Sequence, residues 1–334
     1  MSGRPLLEVI DLEVSFPVAR GTWPFRRTDR LRAVDRVSLA VAAGETLGIV
    51  GESGCGKSTL GRAILRLIDA QAGQIVWLGR DLRRLDRGEL RAVRRDLQIV
   101  FQDPLASLDP RMTVGQSIAE PLRSADRGFS REDRQRRVEE TMRLVGLSPA
   151  LAGRYPHELS GGQCQRAGIA RAMIVRPKLI VCDEPVSALD VSIQAQILNL
   201  LRYLQGRFGL ALILISHDLA VVRHLCQRVM VLYLGRVVES AGREQLFERP
   251  RHPYTRALLS AVPVPDPVLE RQRQRIVLRG DLPSPLDPPS GCAFRTRCPH
   301  AEPRCGERRP ELEPVVPGHE VACLRWQELD PSAG

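Results

Sequence analysis

Lysine is almost missing from this chain. Of its 49 basic residues only Lys57 and Lys178 are lysines, the rest being arginine, and the net charge is +10. A chain so biased that still places a lysine inside "GESGCGKS" needs a compact ammonium there, for which an arginine fork is no substitute. Aromatics are equally scarce at 4% and are not interleaved with the basic runs. Base stacking is therefore unsupported, no nucleic-acid partner is expected, and a solvated, arginine-biased surface accounts for the basic excess. No run approaches the roughly 18 apolar residues of a membrane span. The longest apolar stretch, "LALILIS" from Leu210, is strand-sized. The opening "MSGRPLLEVIDLEV" has acids inside its apolar run and no small-residue cleavage site, so it does not read as a signal peptide, and the protein is expected in the cytosol. The length of 334 residues suits one large domain with an appendage, or two domains.

What is present is chemistry for phosphates. "ETLGIV" (Glu45 to Val50) has the apolar run of a buried strand, and "KSTLGRAILRLI" after it has helical spacing. Between them Gly51, Glu52, Ser53, Gly54, Cys55, Gly56, Lys57 and Ser58, followed by Thr59, fit G-x-x-x-x-G-K-[ST] in strand–loop–helix context. Glycines let backbone N–H groups curl around phosphates, and the helix start adds partial positive charge. Lys57 would reach the outer phosphates of ATP, and the Ser58 hydroxyl would bind Mg²⁺. Further on, the apolar strand Leu179 to Cys182 ends in Asp183-Glu184. A carboxylate in that position holds Mg²⁺ beside a phosphate loop, and the adjacent Glu184 can polarise an attacking water. "ALILISHD" runs out into His217, placed to contact a γ-phosphate, and "IVFQDP" into Gln102, placed for Mg²⁺ or its water.

These residues resemble the ATP-binding subunit of an ATP-binding-cassette (ABC) transporter. "GESGCGKS" is similar to its Walker A loop, "LIVCDE" to its Walker B strand and catalytic glutamate, and "SALD", ending in Asp190, to its D-loop. Gln102 matches the Q-loop, His217 the switch histidine, and Phe16 in "LEVSFP" the adenine-stacking aromatic. The resemblance implies an α/β fold: a P-loop NTPase cassette with a RecA-like core, an antiparallel β part and a helical subdomain, plus a small Cys-containing C-terminal extension. The implied division is 1–104 and 166–245 for the nucleotide-binding core, 105–165 for the helical subdomain, and 246–334 for the extension.

A second glycine-rich turn, "LSGGQ" (Leu159 to Gln163), has no lysine and cannot hold a nucleotide alone. Ser160, Gly161, Gly162 and Gln163 at a helix start nevertheless suit a γ-phosphate presented from outside. The resemblance makes this the family signature, which closes over the ATP of a facing cassette, so the working unit is a dimer. Cys164 stands where the family usually has arginine or another long polar residue, and a local change of packing or charge is expected from it.

Beyond "VMVLYLGRVVESAG" the composition turns to proline and arginine in "VPVPDPVLERQRQR", which reads as a linker. The arginine-rich "ARGTWPFRRTDRLR" reads as a surface loop. The tail carries Cys292, Cys298, Cys305 and Cys323, four of the eight cysteines. A disulfide does not suit a reducing cytosol, and the spacing is not that of a zinc finger. Four thiolates can hold a [4Fe–4S] cluster, and Cys298-Pro299 is similar to the Cys-Pro of ferredoxin-type sites. Iron–sulfur is the first expectation here; Zn²⁺ and plain reduced cysteines are the alternatives.

"RHPYTRALLSAVP", the cysteine segment, "FQDPLASLDPRMTVG" and "EPVSALDVSIQAQILNLL" narrow the resemblance to oligopeptide/dipeptide importer ATPases, specifically the second of their two ATPase subunits. The implied partners are a homologous ATPase subunit (a homodimer being the alternative), two transmembrane permeases and, indirectly, an external solute-binding protein. The implied place is the cytoplasmic face of the inner membrane. The cargo stays open among oligopeptides, dipeptides, nickel chelates and glutathione. A different class, a soluble ABC ATPase acting on DNA or ribosomes, would split the cassette with a coiled coil or fuse two cassettes, and neither feature is seen.

Overall fold

A computed structural model describes residues 4–20, 27–125, 130–263, 271 and 275–329. The chain forms two compact units. The first comprises residues 1–7, 41–46 and 76–216, and the second 8–40, 47–75 and 217–334.

The first unit is built on parallel strands. β6 (Leu97–Val100), β7 (Leu179–Asp183) and β8 (Ala211–Ser216) run side by side, with Val100 opposite Cys182 and Asp183 opposite Ile215. Every residue of β7 and β8 is buried. The unbroken runs "LIVC" and "ALILI" match this, because a parallel strand covered on both faces needs apolar side chains on both. The helix α6 (Val191–Phe208) buries Ile197, Leu201 and Leu204, a stripe at helical spacing, and stops where Gly209 adopts φ 63°. Three further helices, α3 (Val114–Ala125), α4 (Arg131–Leu144) and α5 (Gly161–Met173), pack against one another. Small residues on α5, among them Ala167, Gly168, Ala170 and Ala172, are buried and allow that close approach.

In the second unit β3 (Thr46–Val50) lies parallel to β9 (Arg228–Tyr233), with Val50 opposite Val231. β9 turns back through Leu234 (φ 46°) and Gly235 (φ 76°) into β10 (Arg236–Gly242). Two residues of positive φ make the primed turn that suits the twist of a tight hairpin. Near the end of the chain, β11 (Glu313–Val316) and β12 (His319–Val321) extend the same sheet, Glu239 of β10 standing opposite Val321. A separate set, β2 (Arg27–Val41), β1 (Leu7–Arg20) and β4 (Ala72–Trp77), lies in that order.

Two expectations change. The helix α1 (Lys57–Ile64) ends four residues before the apolar spacing does, because Arg66 takes a left-handed φ of 50°. The flanks of "ARGTWPFRRTDRLR" are strand rather than loop, since β1 runs through Arg20 and β2 begins at Arg27; residues 21–26 lie outside the described residues. Most of the expected linker, 264–270 and 272–274, also lies outside them.

One buried carboxylate organises the end of the second unit. Glu239 is fully buried and accepts the backbone N–H groups of Arg251 (2.6 Å) and His252 (3.0 Å), while His319 Nε2 stands 2.7 Å from its Oε1. This fixes the start of α9 (Pro253–Ser260), which His252 caps by accepting the Tyr254 N–H at Nδ1, 3.1 Å away. Burial pushes the His252 imidazole down to about 4; the carboxylate of Glu239 opposes this and Arg256 adds to it.

The neutral ring is the form that can cap, which gives a sign to the pH dependence. Above pH 6.5 folded and unfolded chains both carry neutral His252; between 6.5 and about 4 only the unfolded chain takes the proton, so stability falls as acid is added. His252→Asn keeps a capping acceptor without titrating. Thermal unfolding from pH 7 to 5 should show the parent chain losing stability faster than His252→Asn, by about 1.4 kcal/mol per pH unit at most. Parallel curves would show that His252 does not carry this loss.

Candidate functional site

The phosphate loop joins β3 to α1 in the second unit. Gly51 (φ 154°) and Gly56 (φ 104°) hold backbone angles that side chains disfavour, and space forbids a Cβ as well. A Cβ at Gly51 would stand 2.3 Å from the Leu232 carbonyl oxygen, and one at Gly56 would stand 2.0 Å from that of Ala33. The helix therefore starts at a glycine with no side chain capping it, which leaves its first turn to an outside anion. Lys57 is only 4% exposed, and its Nζ donates to the carbonyls of Gly51 (2.8 Å) and Glu52 (2.9 Å). Ser53 and Gly54 form the exposed lip, while Ser58 and Thr59 are half-buried on the first turn. Cys55 is buried, and burial pushes its thiol up against the opposing pull of Lys57, so it stays a neutral packing group. Phe16 lies on β1 and the residue is 39% exposed, which suits a stacking face better than a core position.

The first unit brings Gln102, Asp183 and Glu184 to one place. The parallel register that sets Val100 against Cys182 carries Gln102 level with Glu184, and Gln102 Nε2 donates to Glu184 Oε2 at 2.9 Å. Asp183 ends β7 and is 1% exposed. Glu184 sits at φ 47°, a left-handed conformation costly for a residue with a Cβ, held there by its N–H on the Ile215 carbonyl (2.9 Å). Strain of this kind collects at functional sites. Cys182 lies beneath, pushed up to about 12 by burial with Asp183 adding to it, and is inert. Asp190 takes the N-cap position of α6 on an exposed turn and makes no capping hydrogen bond. His217 follows β8 and is exposed; it belongs to the second unit.

The signature turn is capped from within. Ser160 Oγ accepts the Gln163 N–H (3.3 Å), and Gln163 Oε1 accepts the Ser160 N–H (2.9 Å), a reciprocal capping box at the start of α5. A Cβ at Gly162 would meet Ile193 at 2.8 Å, so the turn lies close against α6. Cys164 is buried, its thiol donating to the Pro156 carbonyl at 3.4 Å; burial raises it, with Asp103 adding to the effect. It is a packing residue.

In the first unit the Gln102 amide and the Asp183 carboxylate are hard oxygen donors of the kind Mg²⁺ takes, and in the second unit the Ser58 hydroxyl is a donor of the same kind. The iron–sulfur expectation does not hold. Among the described residues no group of three or more His, Cys, Asp or Glu side chains is arranged to hold a metal ion, which removes zinc at the same cysteines too. Cys292, Cys298, Cys305 and Cys323 line a cavity of about 20 Å³ beside Phe294 and Leu324, room for roughly one water and not for a cluster. All four are free thiols. Burial raises Cys292 and Cys298 and pushes Cys323 up to about 11, favouring the protonated form over the thiolate a metal needs.

Two residues that touch the loop were not found by reading motifs. The Tyr254 hydroxyl accepts the Glu52 N–H at 2.9 Å, and Arg297 grips the Glu52 carboxylate with both Nη atoms, at 2.6 and 3.0 Å. Both lie more than 200 positions away in sequence. The only signal was that "RHPYTRALL" and "CAFRTRCP" stand out as motifs.

Comparisons with known proteins identify the family. The ABC transporter family model matches residues 34–187, and the model of the C-terminal region of oligopeptide/dipeptide transporters matches 238–305. The chain is 57% identical over 325 residues to the oligopeptide transport ATP-binding protein OppF of Salmonella typhimurium, covering 97% of each. It is 52% identical over 319 residues to AppF, a protein of the same description from Bacillus subtilis, covering 95% of this chain and 96% of the relative. Among solved structures, a post-hydrolysis dimer of the ATP-binding cassette MJ0796 with ADP and Pi aligns with a TM-score of 0.63 at 30% identity, covering 71% of this chain and 98% of that one. With its loop, signature and C-terminal segment all accounted for, the chain belongs to the ATP-binding subunits of ABC transporters, in the oligopeptide importer branch.

Proposed function

We propose that this chain binds and hydrolyses ATP to energise the import of peptides, or of related small solutes, through a membrane ABC transporter. The observation that carries this reading is its 57% identity to an oligopeptide transport ATP-binding protein along nearly the whole length, C-terminal segment included. None of the described helices is long and apolar enough to cross a membrane, so passage belongs to other subunits. Those partners are two transmembrane permeases, served by an external solute-binding protein, with this chain peripheral at the cytoplasmic face. Nothing in this reading favours nucleic acid or the ribosome.

The roles follow from chemistry. The loop of Gly51, Glu52, Ser53, Gly54, Cys55, Gly56, Lys57, Ser58 and Thr59 wraps the phosphates, the Glu52 and Cys55 N–H groups being held inside the protein by the Tyr254 hydroxyl and the Glu52 carbonyl, and the Lys57 ammonium neutralises the outer ones. Phe16 stacks on adenine. Ser58, Gln102 and Asp183 would hold Mg²⁺, which would offset phosphate charge and orient the leaving group. Glu184 takes the proton of the attacking water. Its Oε2 already accepts from Gln102 at 2.9 Å, so turnover exchanges that amide for water, and Gln102 reports occupancy of the site to the segment that follows it. His217 donates to the γ-phosphate.

Ser160, Gly161, Gly162, Gln163 and Asp190 complete the ATP site of a facing subunit. That subunit is a homologous second ATPase, with a homodimer as the second possibility. Residues 105–165 form the helical part that meets the permeases, and 246–334 the extension.

Tagged protein taken from detergent-solubilised native membranes should bring down two permeases and a sister ATPase by mass spectrometry; ribosomes or DNA without a permease would overturn the reading. Glu184→Gln should keep ATP binding while losing about a hundredfold or more in turnover, the usual range for a missing general base, and unimpaired hydrolysis would remove Glu184 from that role. Gly56→Ala, which sets a Cβ against the Ala33 carbonyl, should abolish binding of a fluorescent ATP analogue. Retained binding would mean that the loop does not need its observed shape.

A further inference from the structure

Glu52 is the best-anchored residue of the phosphate loop, and most of its anchors come from far away. Its N–H is taken by the Tyr254 hydroxyl, its carbonyl by Lys57 Nζ, and its carboxylate by the two-pronged fork of Arg297. Tyr254 and Arg297 both belong to the C-terminal segment, in the same unit as the loop. The Arg297 side chain is only 8% exposed, so its charge depends on this pairing. Donating that fork to Glu52 is what pushes the guanidinium above its ordinary range, against the opposing effect of burial.

The fork is itself held. The backbone N–H of Arg297 donates to the Phe294 carbonyl at 3.0 Å, which fixes the stem of the side chain, and Phe294 packs against Tyr233 and Tyr254 with ring centroids 5.3 Å away in each case. These are two of the chain's four tyrosines and one of its seven phenylalanines. Three of the chain's fourteen aromatics thus meet in one cluster beside the loop.

We infer that Arg297 is a positioning residue for ATP turnover: its fork on Glu52 fixes the first turn of the phosphate loop, and through it the Lys57 ammonium. The link is short. Lys57 donates to the carbonyls of Gly51 and Glu52, so a shift of residue 52 moves the acceptors that aim the lysine. Nothing in this step involves the cysteines that Arg297 precedes. Because the loop holds the phosphates in the ground state and the transition state alike, loosening it costs binding more than chemistry. The C-terminal segment thereby has a direct mechanical hold on the affinity for ATP. The inference rests on assigning this loop to the phosphates of ATP.

The test uses the full-length chain and its Arg297→Gln, Arg297→Lys, Glu52→Gln and doubly substituted Glu52→Gln/Arg297→Gln variants, with KM for ATP, kcat and Tm measured on each. Arg297→Gln should raise KM about tenfold with kcat changed less than about threefold, a coupling typical of neighbouring groups. Arg297→Lys, which keeps the charge but loses the fork, should fall between. The double variant should be no worse than either single one. Lowered Tm with KM unchanged throughout would make Arg297 a structural staple and overturn the inference, as would additive losses in the double variant. Should Arg297→Gln not fold, Arg297→Lys and Glu52→Gln still decide it. Lys57→Ala separates the two levels: ATP binding that survives it sinks the loop assignment, whereas lost binding beside a normal Arg297→Gln sinks only this inference.

Discussion

A buried ammonium among backbone carbonyls is the interaction on which the rest of this structure depends. Lys57 has little contact with water, and its charge is tolerated because the carbonyls of Gly51 and Glu52 turn towards it. That arrangement needs a loop wound tightly enough to present carbonyls inward while its N–H groups serve an anion outside. Tight winding in turn needs glycine at Gly51 and Gly56, where a Cβ would collide with the backbone of Leu232 and Ala33. The colliding backbones belong to β9 and β2, so the shape of the loop is moulded by strands remote in sequence. The same moulding appears in the hydrogen bond from the Gly235 N–H to the Cys55 carbonyl (2.8 Å), which ties the β9–β10 turn to the loop.

The C-terminal segment continues this logic. Its strands join β10 by backbone pairing, its helix α9 is fastened to buried Glu239, and its aromatic rings carry Tyr254 and Arg297 to Glu52. An appendage held by one route could drift with respect to the nucleotide site. Contacts that converge from the strands, α9 and the aromatic cluster on one unit leave less freedom.

How much of this was legible from residue order depends on range. The phosphate loop, the strand ending at Asp183, the signature turn and their helices are local patterns of glycine, apolar runs and capping residues, and each lies at the expected place. The Gln102–Glu184 pair was approachable too, because both follow apolar strands, although the register that joins them is a fact of the sheet. Arg66 ended α1 early for a reason of backbone angle that spacing does not encode. The flanks of the arginine-rich stretch, up to Arg20 and from Arg27, read as loop because their composition hid the strand alternation. The cysteine tail misled for a different reason. Cysteine number suggests a ligand set, but cavity size and protonation decide whether one exists, and here burial leaves thiols in a space of about 20 Å³. The contacts to Glu52 span over 200 residues and had no local signature at all.

The two glycine-rich helix starts now differ in electrostatics rather than in sequence alone. At α1 no side chain caps the helix and a buried lysine stands behind the loop, so the turn is charged, open and able to hold phosphate unaided. At α5 the start is closed by a reciprocal box that uses the N–H groups of Ser160 and Gln163, and no lysine lies nearby in sequence. A turn of that kind contributes a partial dipole, worth far less than a full charge unless another site has already fixed the anion. A second chain that brings a bound nucleotide supplies that condition. In the dimer proposed above, each subunit would carry one half-site strong enough to capture ATP and one weak enough to engage only after capture, which gives the pairing a physical reason.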